Sequence, residues 1–133
     1  MKNYIYNINS CKLDEMIRPI ISSLEEISAS EKSIYQIHLA LEEILVNIIE
    51  YAYQDKKGEI KISFDIKENN INVIIKDKGV EFNPLSKEDP NLNESINNRS
   101  IGGLGIYIIK NIVDEIKYER TNNENVLSFK KSI

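Results

Sequence analysis

The chain has 133 residues, 41% of them hydrophobic and 29% charged, with a formal net charge of −4. That is the size and composition of one globular domain, and the acidic balance lacks the basic excess by which nucleic-acid binders are usually recognised. The single cysteine, Cys11, can make neither an internal disulfide nor a zinc site, which fits a reducing compartment. No apolar run approaches the ~18 residues of a membrane helix, and the opening MKNYIYNINS has no apolar stretch of signal-peptide type. The expectation is one cytoplasmic domain over residues 1–133, with no membrane and no direct nucleic-acid partner.

Tyr4-Ile5-Tyr6 and Ile8 predict a short strand. Lys12 to Ile27 predicts a helix, with Leu13, Ile17, Ile20, Ile21, Leu24 and Ile27 at helical spacing and Pro19 marking a kink or a late start. Ser30 caps a second helix running to about Tyr53. Its main apolar stripe is Ile34, Ile37, Leu41, Ile44 and Ile48; Leu39, Val46, Ile49 and Tyr53 form a second, so packing on more than one side is expected. Glu59 to Ile66 and Asn70 to Asp77 alternate as a hairpin of strands. Pro84 to Ser100 is polar and aperiodic, a length of loop that is often a functional lid. Gly102-Gly103-Leu104-Gly105 opens a helix whose stripe is Ile106, Ile109, Ile112, Val113 and Ile116. Two closing strands follow near 116–120 and 126–130, turned by Thr121 to Asn125. This order predicts an α/β (α+β) two-layer sandwich, with about three helices on one face of a mixed, mostly antiparallel sheet.

Three local features carry chemistry. Glu43 and Asn47 lie four residues apart and share one helix face. A solvated polar stripe is the ordinary explanation, but Asn is a poor helix former and here it interrupts a run of large aliphatics. An amide oxygen can ligate a hard cation such as Mg²⁺, whose remaining shell is water and phosphate, and a carboxylate one turn earlier can accept a proton. Asp77-Lys78-Gly79 could be a plain strand end and turn. However, Asp77 continues the apolar face of its strand, where a buried carboxylate needs donors. Gly79 would let a flat base approach the backbone. The glycines at 102, 103 and 105 could form a flexible helix start or a phosphate cradle made of unpaired N–H groups. The spacing is neither a Walker loop nor a dinucleotide fingerprint. His38, the sole histidine, has no second His or Cys to share a metal with and reads as structural or partly exposed.

In this order the three features resemble the ATP-binding domain shared by gyrase, heat-shock protein 90, histidine kinases and MutL. Glu43 to Asn47 looks like its N-box, Asp77-Lys78-Gly79-Val80-Glu81-Phe82-Asn83-Pro84 like its first glycine box, and Gly103-Leu104-Gly105-Ile106 like its second. Within that superfamily the chain resembles the small anti-sigma-factor serine kinases, through Tyr51-Ala52-Tyr53 after the N-box and Phe82-Asn83-Pro84 closing the first glycine box. The resemblance implies a histidine-kinase-type ATP-binding fold with ATP and Mg²⁺ as cofactors. It assigns Asn47 to the metal, Glu43 to the catalytic base, Asp77 to adenine with Gly79 beneath the ring, and Gly102, Gly103, Leu104 and Gly105 to the phosphates. Phe82 joins the nucleotide site as part of the first glycine box, and residues 84–100 become the lid. The implied substrate is a serine or threonine on an anti-sigma-factor antagonist, and the other partner is a sigma factor; relatives are commonly homodimers.

The chain departs from the pattern in three places. Glu81 stands where a second glycine is frequent, Val126 near the place of a nucleotide-holding Thr, and Tyr51 where a basic residue or His is common. These departures leave two other readings open: a nucleotide-sensing module that binds a partner without turnover, and a degenerate domain that keeps only protein contacts.

Overall fold

The structure, a computed structural model, describes residues 1–55, 57–86 and 101–133, and for 101–104 the backbone alone. Strand β1 spans Lys2–Asn7 and helix α1 spans Leu13–Glu26. Met16, Ile17, Ile20 and Leu24 form the buried stripe of α1, and it continues across Pro19 without a break in the helix. Burying side chains of this size is worth about 1.5–3 kcal/mol each by transfer, which outweighs the single backbone bond that proline removes.

Helix α2 spans Glu31–Asn47 and starts where Ser30 Oγ accepts the Ser33 N–H at 3.1 Å. Ile37, Ala40, Leu41, Ile44 and Leu45 are buried, and α1 and α3 flank the helix on either side. The second predicted stripe is only partly covered: Leu39 and Ile49 are half-buried, while Val46 is 43% exposed.

Strands β2 (Glu59–Lys67) and β3 (Asn70–Asp77) pair antiparallel, as do β4 (Glu115–Thr121) and β5 (Glu124–Ser132). Each hairpin turns on two residues in the left-handed region: Glu68 and Asn69 (φ 52° and 63°), and Asn122 and Asn123 (φ 51° and 60°). Two-residue turns of this hand match the twist of the strands they join. The sheet order is β1-β2-β3-β5-β4, antiparallel at every described pairing. One face, carrying Ile60, Ile62, Phe64, Ile71, Val73, Ile75, Leu127 and Phe129, is buried in the core shared with the helices. Helix α3 spans Ile101–Ile112 and adds Ile106 and Ile109 to that core. Of the predicted lid, Pro84–Ser86 form a short helical turn with Pro84 buried; residues 87–100 lie outside the described residues. None of the described helices is long and apolar enough to cross a membrane.

Candidate functional site

Asn47 is the last residue of α2, and a wide π turn, Ile48–Ala52, follows it. The turn closes with the Tyr53 N–H on the Ile48 carbonyl at 3.1 Å. Such turns tend to mark functional positions in helices. Asn47 is 5% exposed, and its Nδ2 makes no hydrogen bond among the described residues. Leaving a buried amide donor unpaired costs about 1–3 kcal/mol. An amide kept in that state suits a bound group that brings acceptors, such as phosphate oxygens.

The π turn also supports the first glycine box. The Val80 N–H donates to the Ala52 carbonyl at 2.9 Å, and Gly79 lies flat against Ala52. A Cβ at position 79 would come within 2.6 Å of the Ala52 carbonyl carbon and 2.8 Å of its Cβ. Both are anchored groups, so Gly79→Ala is expected to destabilise the protein by about 1–3 kcal/mol, as overpacking does. Chemical denaturation checks this; wild-type stability would show that the box tolerates a side chain. The rings of Tyr51, from the π turn, and Phe82, from the box, stack 5.1 Å between centroids and 23° apart.

Asp77 ends β3 on the core side and is 3% exposed. Its Oδ1 accepts the Gly79 N–H and Asn125 Nδ2, both at 2.9 Å. Asn125, 4% exposed, also donates to the Val80 carbonyl at 2.8 Å. Its Oδ1 accepts from Tyr118 O–H at 2.6 Å and from the Phe82 N–H at 3.2 Å. Those four bonds fill the capacity of an asparagine side chain, so Asn125 is locked in orientation and locks Asp77. Among the described residues the hydrogen bonds to Asp77 converge on Oδ1, which leaves Oδ2 for a ligand. Burial raises the Asp77 pKa; the Asn125 and Gly79 hydrogen bonds and the Arg120 charge oppose that rise without cancelling it. Arg120 Nη1 donates to the Gly79 carbonyl at 2.8 Å. Tyr53 O–H donates to the Glu59 carbonyl at 2.6 Å and accepts the Lys78 N–H at 2.8 Å. The box is therefore held from three sides.

Asn125 is the residue that sequence reasoning missed. The run 121–125 reads as a turn, but the two asparagines at 122 and 123 turn the chain alone, so Asn125 enters β5 opposite Asp77. Val126 pairs with Lys76 and Glu119 and points to the other face of the sheet by strand alternation. Had a two-residue turn been assumed, alternation from Leu127 and Phe129 would have put Asn125 on the core face.

Packing of α2 on α3 brings Glu43 to the second glycine box. Gly102, Gly103, Leu104 and Gly105 form the first turn of α3; the Leu104 side chain lies outside the described residues. Gly105 is buried, and a Cβ there would overlap the Glu43 carboxylate, 3.0 Å from its Cδ. The half-buried Glu43 carboxylate thus rests on a glycine at a helix N-terminus, one turn before Asn47. The structure joins Glu43 to Gly105 and Asp77 to Gly79, and it ties the end of the Asn47 helix to the box through Ala52. Among the described residues, the unpaired Asn47 Nδ2 and the Asp77 oxygen left without a bond fit the acceptor and donor groups of a nucleotide.

The sequence profile of the histidine kinase-like ATPase domain matches residues 12–131. The chain is 32% identical over 101 residues to the serine-protein kinase RsbW of Bacillus cereus (strain AH820), covering 73% of this chain and 63% of that protein. It is 32% identical over 96 residues to the protein of the same name from Bacillus mycoides (strain KBAB4), covering 69% and 60%. The matched stretch thus spans about three fifths of the length of these relatives. The fold matches the catalytic domain of histidine kinase ThkA with a TM-score of 0.56 and 20% identity, over 99% of this chain and 97% of that one. With the three boxes in place on this sheet and these helices, the chain belongs to the histidine kinase-like ATPase domain family.

Proposed function

We propose that the chain is an ATP-Mg-dependent serine/threonine protein kinase acting in the cytoplasm, which phosphorylates an anti-sigma-factor antagonist and sequesters a sigma factor. The likeness to proteins named serine-protein kinase RsbW supports the activity. The partners follow from the resemblance of the three boxes to anti-sigma-factor kinases. The observation that carries nucleotide binding is the Asp77–Asn125 pair, a locked carboxylate with one oxygen left over at the first glycine box.

In this reading Asp77 Oδ2 accepts from the adenine amino group, and Asn47 holds Mg²⁺. Phe82 closes the first box. Gly102, Gly103, Leu104 and Gly105 hold the phosphates, which the N–H groups left free in the first turn of α3 and its dipole favour. Glu43 accepts the proton of the attacking serine hydroxyl. ATP-Mg, when bound, supplies the phosphoryl group. Positioning and charge neutralisation are most of what such a transfer requires of the protein.

Thermal unfolding with and without ATP-Mg tests the nucleotide site. Nucleotide at ~100 times its dissociation constant adds about 2.7 kcal/mol of stability; Asn47→Ala is expected to lose most of that gain. A wild type indifferent to millimolar ATP-Mg would sink the reading. Stabilisation by ATP without phosphoserine on the antagonist would leave the nucleotide-sensing module in its place.

A further inference from the structure

On the side of α2 that packs against α1, three ligating side chains meet: Asp14 from the first turn of α1, and His38 and Glu42 from α2. One ligand atom from each lies within 4.8 Å of the other two. Glu43 faces α3 and is no part of this group. The sequence offers His38 no second His and only one Cys, whereas the packing of α1 on α2 supplies carboxylates.

We infer that Asp14, His38 and Glu42 form a binding site for a divalent cation of the zinc class, bridging α1 and α2. His38 and Glu42 are one helical turn apart, with Nδ1 and Oε1 at 3.2 Å. Two ligands on a tetrahedral ion with ~2.0 Å bonds lie roughly 3.3 Å from each other, so this pair already has the spacing of two ligands. Asp14 is exposed and at the start of its helix, free to draw in by the remaining distance. Water would complete the shell, as in sites with three protein ligands. One imidazole with two carboxylates suits zinc-like ions and distinguishes this site from an all-oxygen magnesium site.

A cavity of ≈ 190 Å³ opens at the same place, lined by Asp14, Ile17, Arg18, Ile21 and His38. It has room for an ion and its water. Ile17, 1% exposed, makes one wall apolar, which strengthens ion–ligand attraction by lowering the local dielectric. Arg18 carries the opposing charge, but it is exposed, and its long side chain can turn its head to solvent.

The test uses the whole chain, stripped of metal and free of nucleotide. Zn²⁺ is titrated by calorimetry, and Co²⁺ by its visible absorption. One equivalent is expected to bind at micromolar metal or tighter. His38→Ala and Asp14→Asn should each weaken it by at least about tenfold, the scale on which metal sites respond to altered ligand shells. Cys11→Ser and Asn47→Ala should bind as wild type does, which separates this site from a stray thiol and from the nucleotide site. Circular dichroism confirms that each variant is folded, and Glu42→Gln replaces His38→Ala if that one is not. Binding only at millimolar metal, binding unchanged in folded His38 or Glu42 variants, or binding lost with Cys11 would overturn the inference.

Discussion

Asp77→Asn is expected to abolish ATP-dependent stabilisation while leaving the nucleotide-free protein at least as stable as wild type. The substituted amide has one acceptor, and the Gly79 N–H and Asn125 Nδ2 both require it. Its NH₂ then takes the place of Oδ2 and meets the adenine amino group donor to donor. Flipping the amide would only move the conflict onto Asn125, which cannot turn because its Oδ1 holds Tyr118 O–H and the Phe82 N–H. Losing a hydrogen bond to a charged acceptor and opposing a donor instead costs about 3–5 kcal/mol, or two to four decades in affinity. The stability half of the prediction follows from the sign of the pKa shift. Burial raises the Asp77 pKa in the folded protein, so the folded state holds this proton more tightly than the unfolded one. The stability linked to that proton is present below the unfolded pKa and is lost as pH rises through the folded value. Above the folded value the wild type has lost it; the amide does not titrate and incurs no such loss. Unfolding from pH 7 downward should show the variant's advantage shrinking as Asp77 protonates. A variant that still gained stability from ATP-Mg would show that Asp77 is not the adenine acceptor.

Helices, strands and both glycine boxes were legible because each rests on local periodicity or on a residue type that suits few places. Asn47 stood out as a poor helix former within aliphatics, and Asp77 as a carboxylate on an apolar strand face. What escaped reading depends on pairs distant in the chain. Asn125 matters because a register 48 residues away sets it opposite Asp77, and that register hung on how many residues the last hairpin spends in its turn. The rest of α2 shows the same limit. Periodicity marked Val46 as apolar, but α1 and α3 leave its face uncovered. The π turn after Asn47 has no signature in Ile48–Ala52 that periodicity could detect. It is fixed from outside, where Ala52 meets Gly79 and accepts from Val80.

Glu43→Gln is expected to lower phosphoserine formation on the antagonist by about 10²–10⁴-fold, the usual worth of a positioned general base, with ATP-Mg stabilisation intact. Glutamine keeps the length of the side chain and its contact with Gly105, so the α2–α3 packing that the carboxylate makes today is retained. What it loses is the ability to take a proton. The separation of effects follows from the proposed reading, in which Asp77 and Asn47 hold the nucleotide, whereas Glu43, lying against Gly105 in α3, takes the proton of the hydroxyl. Two measurements on one variant decide the matter, the thermal shift with ATP-Mg and the rate of phosphoserine formation. A fall in rate with an unchanged shift assigns the proton to Glu43. Loss of the shift would instead make Glu43 part of nucleotide binding, and a wild-type rate would send the search for the base elsewhere around Gly105.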